Sequence, residues 1–513
     1  MTRIVVVGAG IAGVPAAYAL KSRLSPTDDI TVISDKDYFH FVPSNPWVAM
    51  GWREYHEVAF PIEPYLREQG IGFIQKGARR IDAANNRIEL SDGSSIDYDF
   101  AVIATGPEAA FDEVDGWTRE HERLHSVVHI EQAIKAQRAY REIVEHAGPV
   151  VIAAAPNASV LGPMYECAFL IDEDLRRRGI RHRVPITILT PEPFAGHLGL
   201  GNESENRGLL EGALAERGID CITNARMQRT EAERLHYSTP GDKAHYRDFA
   251  FGILWPAFRG VSALRDSPDL TDARGMVEVD EFLRHPRRSN VFALGLCAAR
   301  AALDEAVPIG PPVSVYSIQN EVETVTRNVL ASRDDEPLVS IVPRRAHWLN
   351  DMGETGAAYV SAPQIPLRNI NWLKQGRWVH EAKVEFEDHF MNGIKLRPKR
   401  VGGTGQRLAT AVADMQAERT EGIARLSPRR QDRPKPLQVA VPRELCHDLR
   451  ALAYTLSLPP EDVAARLLQA AVHDARGYLG EELDEEVERM RRRILFEELP
   501  ENQPGVEFDG GAT

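Results

Sequence analysis

The sequence predicts an α/β fold, and three observations lead to this class. A strand, a glycine-rich turn and a helix follow one another in residues 3–20. The same order recurs where an apolar strand at 149–152 precedes a segment of helical composition at 162–178. Apolar strands of the buried type also occur at 98–104 and 289–294. Strands that alternate with helices are typical of parallel sheets, so we expect two Rossmann-like domains followed by a C-terminal helical extension.

Length and charge restrict the class of protein further. At about 150 residues per domain, a chain of 513 residues is expected to form two to four domains. The formal net charge of −14 disfavours a nucleic-acid binder, because the phosphate backbone requires a basic face. No apolar run reaches the roughly 18 residues of a membrane-spanning helix, and the N-terminus lacks the pattern of a signal peptide. We therefore expect a cytoplasmic protein with at most peripheral membrane contact.

The cysteines are too scattered for a structural role. The chain has four of them, Cys167, Cys221, Cys297 and Cys446, without CxxC or Cys–His spacing. Neither a disulfide framework nor a metal site is expected from this arrangement.

The turn after the first strand has the spacing of a dinucleotide-binding fingerprint. Gly8 permits the tight turn, Gly10 lets the backbone approach a pyrophosphate, and Gly13 lets the helix pack closely on the strand. The N–H groups at the start of the helix then face the phosphates. The next strand, 30–33, ends about twenty residues past the turn, where a ribose-binding group is expected. The predicted cofactor contacts here are Gly8, Gly10, Ile11, Ala12, Gly13, Ser34 and Asp35.

Two later strands complete a pattern that resembles the two-dinucleotide-domain flavoproteins. The strand at 98–104 leads into Ala104-Thr105-Gly106, and the strand at 289–294 ends at Gly295. The resemblance implies FAD as the cofactor. It also implies that residues 1–110 and 275–335 form the FAD-binding domain, which a second Rossmann-like domain at 111–274 interrupts.

The second domain lacks the glycine fingerprint. The turn after its first strand contains Pro156 and Asn157 in the region where a pyrophosphate would approach. A Cβ atom there obstructs that approach, so binding of a pyridine nucleotide is disfavoured. Either another donor supplies the electrons, or the domain is structural.

Seven strings narrow the resemblance to the sulfide:quinone oxidoreductases, with the flavocytochrome c sulfide dehydrogenases as more distant relatives. They occur in order between residue 1 and about residue 395. They are 38–52 with its Pro43-Ser44-Asn45-Pro46-Trp47, Gly106-Pro107, 161–166, 192–199, 256–261, Asp351-Met352-Gly353 and 376–380. In that family FAD takes two electrons from sulfide through a pair of cysteines and passes them to a quinone.

This chain departs from the family at its reactive positions. The three redox cysteines of the family correspond to Val128, Val160 and Trp348. Valine cannot form the thiolate that sulfur relay chemistry requires. The family's lysine near the flavin corresponds to Val313, which cannot stabilise an anionic reduced flavin. The position after Gly295 holds Leu296 instead of an acid, as it does in the sulfide oxidoreductases.

The resemblance also supplies the remaining candidate site residues. Backbone donors at Ser44 and Asn45 are expected near the flavin ring. His197 lies in a glycine-rich loop, and its role is either proton delivery or simply that of a loop histidine. Cys297 is either a reactive thiol or a small buried hydrophobe, as free cysteines usually are. The other expected cofactor contacts are Ala104, Thr105, Gly106, Gly295, Leu296 and Pro312.

The C-terminal third predicts interaction elements. The helix at 377–394, within an interface segment at 336–396, carries Glu381, Glu385, Glu387 and Asp388, and acidic side chains repel an anionic membrane. It is interpreted as a packing or oligomer helix, with membrane contact as the alternative. A linker is expected at 397–435. Residues 436–513 resemble a ribbon-helix-helix dimerisation module or form an ordinary helical hairpin.

Three functional hypotheses follow. The first is an FAD-dependent oxidoreductase that passes electrons from a small-molecule donor, sulfide in one version, to a quinone-like acceptor without a cysteine relay. The second is a redox-inactive flavoprotein scaffold or assembly subunit with a protein partner or as a homodimer. The third is an NAD(P)H:acceptor oxidoreductase, which the degenerate turn at 153–158 disfavours.

Overall fold

The computed structural model describes most of the first 395 residues. Within that range the exceptions are residues 26, 200–205, 242, 301–308, 310–312, 342–345 and 363–369; beyond it only 463, 464, 467 and 468 are described. The chain divides into two compact units, Met1–Arg397 and Pro398–Thr513. The predicted linker and nearly all of the predicted dimerisation module lie outside the described residues, as do Pro312 and Cys446.

The described part of the chain contains ten α-helices. They are α1 Gly13–Arg23, α2 Asn45–Ala49, α3 Tyr55–Val58, α4 Glu63–Glu68, α5 Ile130–His146, α6 Gly162–Arg177, α7 Asn206–Glu216, α8 Ser262–Arg265, α9 Val315–Asp334 and α10 Arg377–Lys395. The predicted helices after the glycine turn, at 162–178 and at 377–394 are α1, α6 and α10.

Twenty-four strands are present in the same described ranges. They are β1 Arg3–Val7, β2 Asp29–Ser34, β3 Tyr38–His40, β4 Ala59–Pro61, β5 Gly72–Gln75, β6 Ala78–Asp82, β7 Arg87–Leu90, β8 Ser95–Asp97, β9 Phe100–Ile103, β10 Pro107–Ala109, β11 Leu124–His125, β12 Val150–Ala154, β13 Ile186–Leu189, β14 Ile219–Ile222, β15 Arg226–Thr230, β16 Arg234–Thr239, β17 Lys243–Asp248, β18 Phe251–Trp255, β19 Phe258–Gly260, β20 Arg284–His285, β21 Arg288–Ala293, β22 Ala346–Asp351, β23 Gly356–Ala362 and β24 Ile370–Gly376.

The first sheet brings together strands that are far apart in the chain. Its order is β20-β21-β9-β1-β2-β5, and all neighbours except β20 and β21 are parallel. Val291 of β21 pairs with Ala101 of β9, so the late strand returns to the first sheet as predicted. Side chains of β1 pack on both faces of the sheet, which explains its continuous apolar run.

The second sheet is wholly parallel, with the order β11-β18-β12-β13-β14. Apolar side chains of α5 and α6 pack against it in one large core. Pro163 lies in the first turn of α6, where its missing N–H removes no helical hydrogen bond. The predicted α/β class with two Rossmann-like sheets is confirmed, whereas the residue boundaries given for the domains remain a prediction.

Helix α10 is a packing helix in this structure. Val379, Phe390 and Ile394 are buried, and the Tyr18 hydroxyl donates to the Ile394 carbonyl at 3.2 Å. Of the four acidic residues of this helix, Glu387 is 3% exposed, because Arg53 and Ser44 approach its carboxylate. Within the described ranges, none of the helices combines the length and the apolar character needed to cross a bilayer.

Candidate active site

The glycine turn between β1 and α1 has the form that a dinucleotide requires. Gly8 has φ +117°, and a Cβ atom on it would lie 2.3 Å from the Ala104 carbonyl oxygen. A Cβ atom on Gly13 would lie 1.9 Å from the Gly8 carbonyl oxygen. Beside Gly10, by contrast, no described atom lies within 4 Å of such a Cβ position. Two glycines are therefore needed for packing, and the third borders the open space into which a diphosphate fits.

The start of α1 adds an electrostatic reason for a phosphate at this place. Ala12 is the N-cap, so no side chain there accepts a hydrogen bond from the first turn of the helix. The first turn also lacks an acidic residue. The positive end of the helix dipole therefore meets no opposing charge from this turn and can attract an anion, while the Val14 amide donates to the Gly10 carbonyl at 3.1 Å.

The ends of β9 and β21 lie next to the glycine turn. Gly106 and Gly295 follow these strands with φ +67° and +76°. A Cβ atom on Gly295 would lie 3.2 Å from the Cβ of Ala12. The Thr105 hydroxyl donates to the Gly106 carbonyl at 3.0 Å. The structure therefore brings these predicted cofactor residues together at the carboxyl edge of the parallel sheet, the usual ligand position in this architecture.

Ser34 and Asp35 lie at the same edge, after β2. The Ser34 hydroxyl accepts a hydrogen bond from the Lys36 amide at 3.1 Å, and Asp35 is exposed. Their predicted contact with the ribose of the cofactor remains a prediction.

Ser44 and Asn45 are fully buried, and their side chains are engaged within the protein. The Ser44 hydroxyl donates to Glu387 Oε1 at 2.6 Å. Asn45 Nδ2 donates to the carbonyls of Val127 and Val128 at 2.8 and 3.2 Å. Any contact of Ser44 or Asn45 with a flavin would therefore come from the backbone, and such a contact remains a prediction.

His40 fixes the other end of the Asn45 side chain. Its Nε2 lies 2.7 Å from Asn45 Oδ1, which accepts the hydrogen bond. Burial lowers the pKa of His40 to about 4, so the ring is neutral at pH 7. His40 thus supports the connection between the segment 42–49 and Val128 as a neutral donor.

Cys297 is buried next to the ends of β9 and β21. Its Sγ donates to the carbonyls of Ile103 and Leu294 at 3.3 and 3.2 Å. Burial raises the pKa of the thiols of Cys167 and Cys297, and that of Cys221 to about 12. The three described cysteines are free thiols that stay protonated at neutral pH.

His197 lies in a buried loop after β13 that Glu192 holds in place. Glu192 accepts hydrogen bonds from the Tyr165 hydroxyl, from Thr190 Oγ1 at 2.7 Å and from the Leu198 amide at 2.7 Å. The His197 ring accepts from the Gly199 amide at 3.2 Å and contacts the Phe194 ring edge-on. These described partners belong to its own loop, and a role in proton delivery remains a prediction.

The turn before α6 is strained at Val160, the position that corresponds to a redox cysteine of the family. Val160 is 6% exposed and has φ +57°, a conformation that a β-branched residue rarely adopts. Asn157, earlier in the same turn, has φ +60°. Such strain is typical of functional segments and costs about 1–3 kcal/mol. The backbone at Val160 therefore has the strained conformation of a functional segment, even though its side chain is apolar.

Sequence analysis missed a buried group of charges, the α10 charge cluster. Lys383 contacts Glu166 of α6, Arg53 contacts Glu387 at 2.8 Å, and His380 Nδ1 lies 2.9 Å from Asp351 Oδ1. Burial raises the pKa of Glu166 to about 7 against the opposing effect of Lys383. The cluster consists of Trp47, Arg53, Glu166, Asp351, His380, Lys383 and Glu387.

Trp47 is the centre of this cluster. Its indole N–H donates to Asp351 Oδ2 at 2.7 Å, while Arg53 and Lys383 lie over its ring at 4.6 and 4.7 Å from the centroid. His380, Lys383 and Glu387 have the i, i+3, i+7 spacing of one helix face. That spacing was the available signal, but charged residues at such positions usually indicate a solvated face.

Comparison with known proteins shows which family has this architecture. Residues 2–328 match the family described as pyridine nucleotide-disulphide oxidoreductase. A sulfide-quinone reductase of Aquifex aeolicus (strain VF5) is 33% identical over 391 residues, 76% of this chain and 90% of the relative. A type II NADH:quinone oxidoreductase of Staphylococcus aureus is 22% identical over 339 residues, 64% of this chain and 81% of the relative.

Comparison with solved structures shows the same fold in related proteins. The X-ray structure of the sulfide:quinone oxidoreductase from Aquifex aeolicus has a TM-score of 0.73 at 32% identity and covers 77% of this chain and 91% of its own. A NAD-dependent persulfide reductase from A. fulgidus shares the fold, with a TM-score of 0.53 at 19% identity, covering 70% of this chain and 63% of its own.

The glycine turn, the open space at Gly10 and the start of α1 fit the FAD of this family. When bound, FAD supplies a carrier of two electrons at the carboxyl edge of the first sheet. The chain therefore belongs to the pyridine nucleotide-disulphide oxidoreductase family, within its sulfide:quinone oxidoreductase group, and is an FAD-dependent oxidoreductase.

Proposed function

We propose that the protein reduces a quinone with electrons from a small reduced sulfur donor, and that the donor reacts at the cofactor without a relay of protein cysteines. The acceptor and the donor class are inferred from the Aquifex aeolicus relative at 33% identity. The absence of a relay is inferred from this chain's own residues.

The state of the cysteines carries the proposal. Two positions that hold redox cysteines in the family are Val128 and Val160 here. The three described thiols lie elsewhere, and burial holds each of them in the protonated form. A protonated, buried thiol neither enters the disulfide exchange through which a relay takes up sulfide nor carries a growing polysulfide. A soluble sulfur acceptor must then take the place of the protein persulfide.

The overall reaction balances with sulfide as both donor and sulfur acceptor. Two HS⁻ ions, one quinone and one proton give one HSS⁻ ion and one quinol. One S–S bond forms, two electrons pass to the quinone, and the quinol takes the added proton together with one released from sulfide. The role left to the described residues is to hold FAD and the surrounding segments, with Asn45 fixing the position of Val128.

The test is an anaerobic titration of the purified holoprotein. Sulfide is expected to bleach the flavin absorption band, and a water-soluble quinone analogue is expected to restore it. The matched variant replaces all four cysteines with alanine. Bleaching by sulfide should persist in that variant, with HSS⁻ found in solution and no persulfide on the protein. Loss of bleaching in an alanine variant that retains FAD would contradict the absence of a relay.

Two other outcomes separate the remaining hypotheses. If NADH bleaches the flavin faster than sulfide does, the protein acts as an NADH:quinone oxidoreductase, the activity named for the Staphylococcus aureus relative. If neither donor reduces the flavin and a protein partner co-purifies, the scaffold hypothesis is favoured. The turn with Pro156 and Asn157 argues against NADH, because it offers no glycine for close approach.

A further inference from the structure

A buried ion pair holds the turn that follows β21. Glu321 of α9 accepts a hydrogen bond from the Gly295 amide through Oε2 at 2.7 Å. Arg300 Nη2 donates to the Gly295 carbonyl at 3.1 Å and to Glu321 Oε1 at 2.6 Å. The two side chains are 10% and 2% exposed. The pair thus binds both polar groups of the Gly295 backbone.

This turn adjoins the cofactor site. Gly295 has φ +76°, and a Cβ atom on it would lie 3.2 Å from the Cβ of Ala12, the N-cap of α1. Hydrogen bonds of the neighbouring Cys297 to Ile103 and Leu294 hold the turn against the ends of the strands. Any change in the Gly295 backbone would therefore alter the surface beside the glycine turn.

The charges of the pair matter because FAD carries a diphosphate. A lone Glu321 carboxylate beside the start of α1 would repel that anion, and in a buried setting water screens the repulsion only weakly. Arg300 cancels this charge while its guanidinium donates to the Gly295 carbonyl. The Glu321 carboxylate accepts the hydrogen bond of the Gly295 amide, and the Arg300 guanidinium neutralises the charge of that carboxylate.

We propose that Arg300 and Glu321 are positioning residues for FAD, which fix the Gly295 turn against the glycine turn and keep the net charge there at zero. The proposal depends on FAD as the cofactor and not on the identity of donor or acceptor. Neither residue belongs to the strings by which the chain resembles its family.

The two charge-removing variants distinguish this role from a merely structural one. Arg300→Gln leaves a negative charge near the diphosphate, so the dissociation constant of FAD is expected to rise by about tenfold. Glu321→Gln retains an oxygen acceptor for the Gly295 amide and leaves a positive charge, so FAD should bind as tightly as before or more tightly. A structural pair would weaken FAD binding in both variants.

The measurement is the release of FAD from diluted holoprotein, followed by flavin fluorescence at pH 8.5, together with the midpoint potential of the flavin. We expect the potential to fall in Arg300→Gln and to rise in Glu321→Gln, because the reduced flavin is anionic. Arg23→Gln is the matched control. It breaks the 2.9 Å ion pair between Arg23 of α1 and Glu323 of α9, the helix that carries Glu321, at a more exposed position, and should leave both quantities unchanged.

If Arg300→Gln does not fold, Arg300→Lys replaces it, since lysine keeps the charge and should retain FAD. Weaker FAD binding in Glu321→Gln would overturn the proposal, whichever arginine variant is available. Equal changes in the two glutamine variants, or no change in either, would overturn it as well.

Discussion

The three glycines of the turn between β1 and α1 are required for different physical reasons, although all three belong to the same dinucleotide-binding fingerprint. Gly8 and Gly13 are packing residues, because Cβ atoms on them would collide with backbone oxygens at 2.3 and 1.9 Å. Gly10 faces open space, so the protein itself does not require glycine there. The need for glycine at this position comes from the ligand.

This difference predicts opposite behaviour of two alanine variants. Gly10→Ala should fold with an unchanged melting temperature as the apoprotein and lose FAD affinity, because its Cβ atom enters the space of the diphosphate. Gly13→Ala should lower the melting temperature of the apoprotein as well, because α1 must move away from β1. Differential scanning fluorimetry and flavin content measure the two effects. A destabilised Gly10→Ala apoprotein would show that the space is not a ligand cradle.

At the scale of elements, α10 is attached to the rest of the protein by charges as well as by apolar contacts. Lys383 pairs with Glu166 of α6, and His380 approaches Asp351 at the end of β22. Buried ion pairs add little net stability compared with apolar packing, but breaking one is costly. The α10 charge cluster therefore specifies where the helix packs more than it strengthens the contact.

The Glu166–Lys383 pair can be tested by removing one partner or both. At pH 8, above the raised pKa of Glu166, Lys383→Met leaves the Glu166 carboxylate buried without its cation, and we expect the free energy of unfolding to fall by about 3–5 kcal/mol. The double variant Glu166→Gln/Lys383→Met should recover most of this loss, because no charge is stranded. Urea denaturation measures both, with Glu381→Gln on the exposed side of α10 as the control. A double variant no more stable than Lys383→Met would contradict this account.

The same pair predicts a pH dependence of stability. Burial raises the pKa of Glu166 from 4.5 to about 7, against the effect of Lys383 and reinforced by the nearby Asp351. The folded state therefore holds this proton more tightly than the unfolded state. Its stabilising contribution is complete below pH 4.5 and is lost as the pH rises to 7, a change of about 3 kcal/mol.

Comparison with Glu166→Gln isolates that contribution, because the amide does not titrate. Free energies of unfolding measured between pH 5 and 7.5 should fall more steeply in the natural protein than in the variant. Parallel curves would mean that the pKa of Glu166 is not raised in the folded state.

At the scale of the whole molecule, two parallel sheets of similar construction carry different turns. The first sheet has three glycines in its strand–helix turn, and the second has Pro156, Asn157 and a strained Val160 at the equivalent place. Of these two turns, the first has the glycines that let a diphosphate approach the backbone, and the second does not. Within the described residues, the second sheet thus resembles the first in topology but lacks its glycine turn.

We therefore expect NADH to be a poor reductant of the bound flavin. In an anaerobic stopped-flow experiment, bleaching by NADH should be slower than the steady-state turnover with the best donor. A Pro156→Gly/Asn157→Gly variant serves as the comparison, since it removes the obstructing side chains. Fast reduction of the natural protein by NADH would contradict the interpretation of this turn.

Local patterns were sufficient for the fold class, the strands at 98–104 and 289–294, helix α10 and the glycine turn. They did not indicate that Glu387 is buried against Arg53. The pairs formed by Arg300 and Lys383 were also missed. The reason in each case is that a charged side chain in a helical pattern indicates solvent unless its partner is known.

The amino-acid sequence by itself determined the backbone architecture and the cofactor turn, because glycine spacing and apolar periodicity act over a few neighbouring residues. The tertiary structure alone decided which charges are buried and which partners they have. Glu166 meets Lys383, and Glu321 meets Arg300, only after distant segments pack together. Whether a charge is desolvated depends on that packing, since burial and pairing are properties of the folded surroundings and not of the residue type.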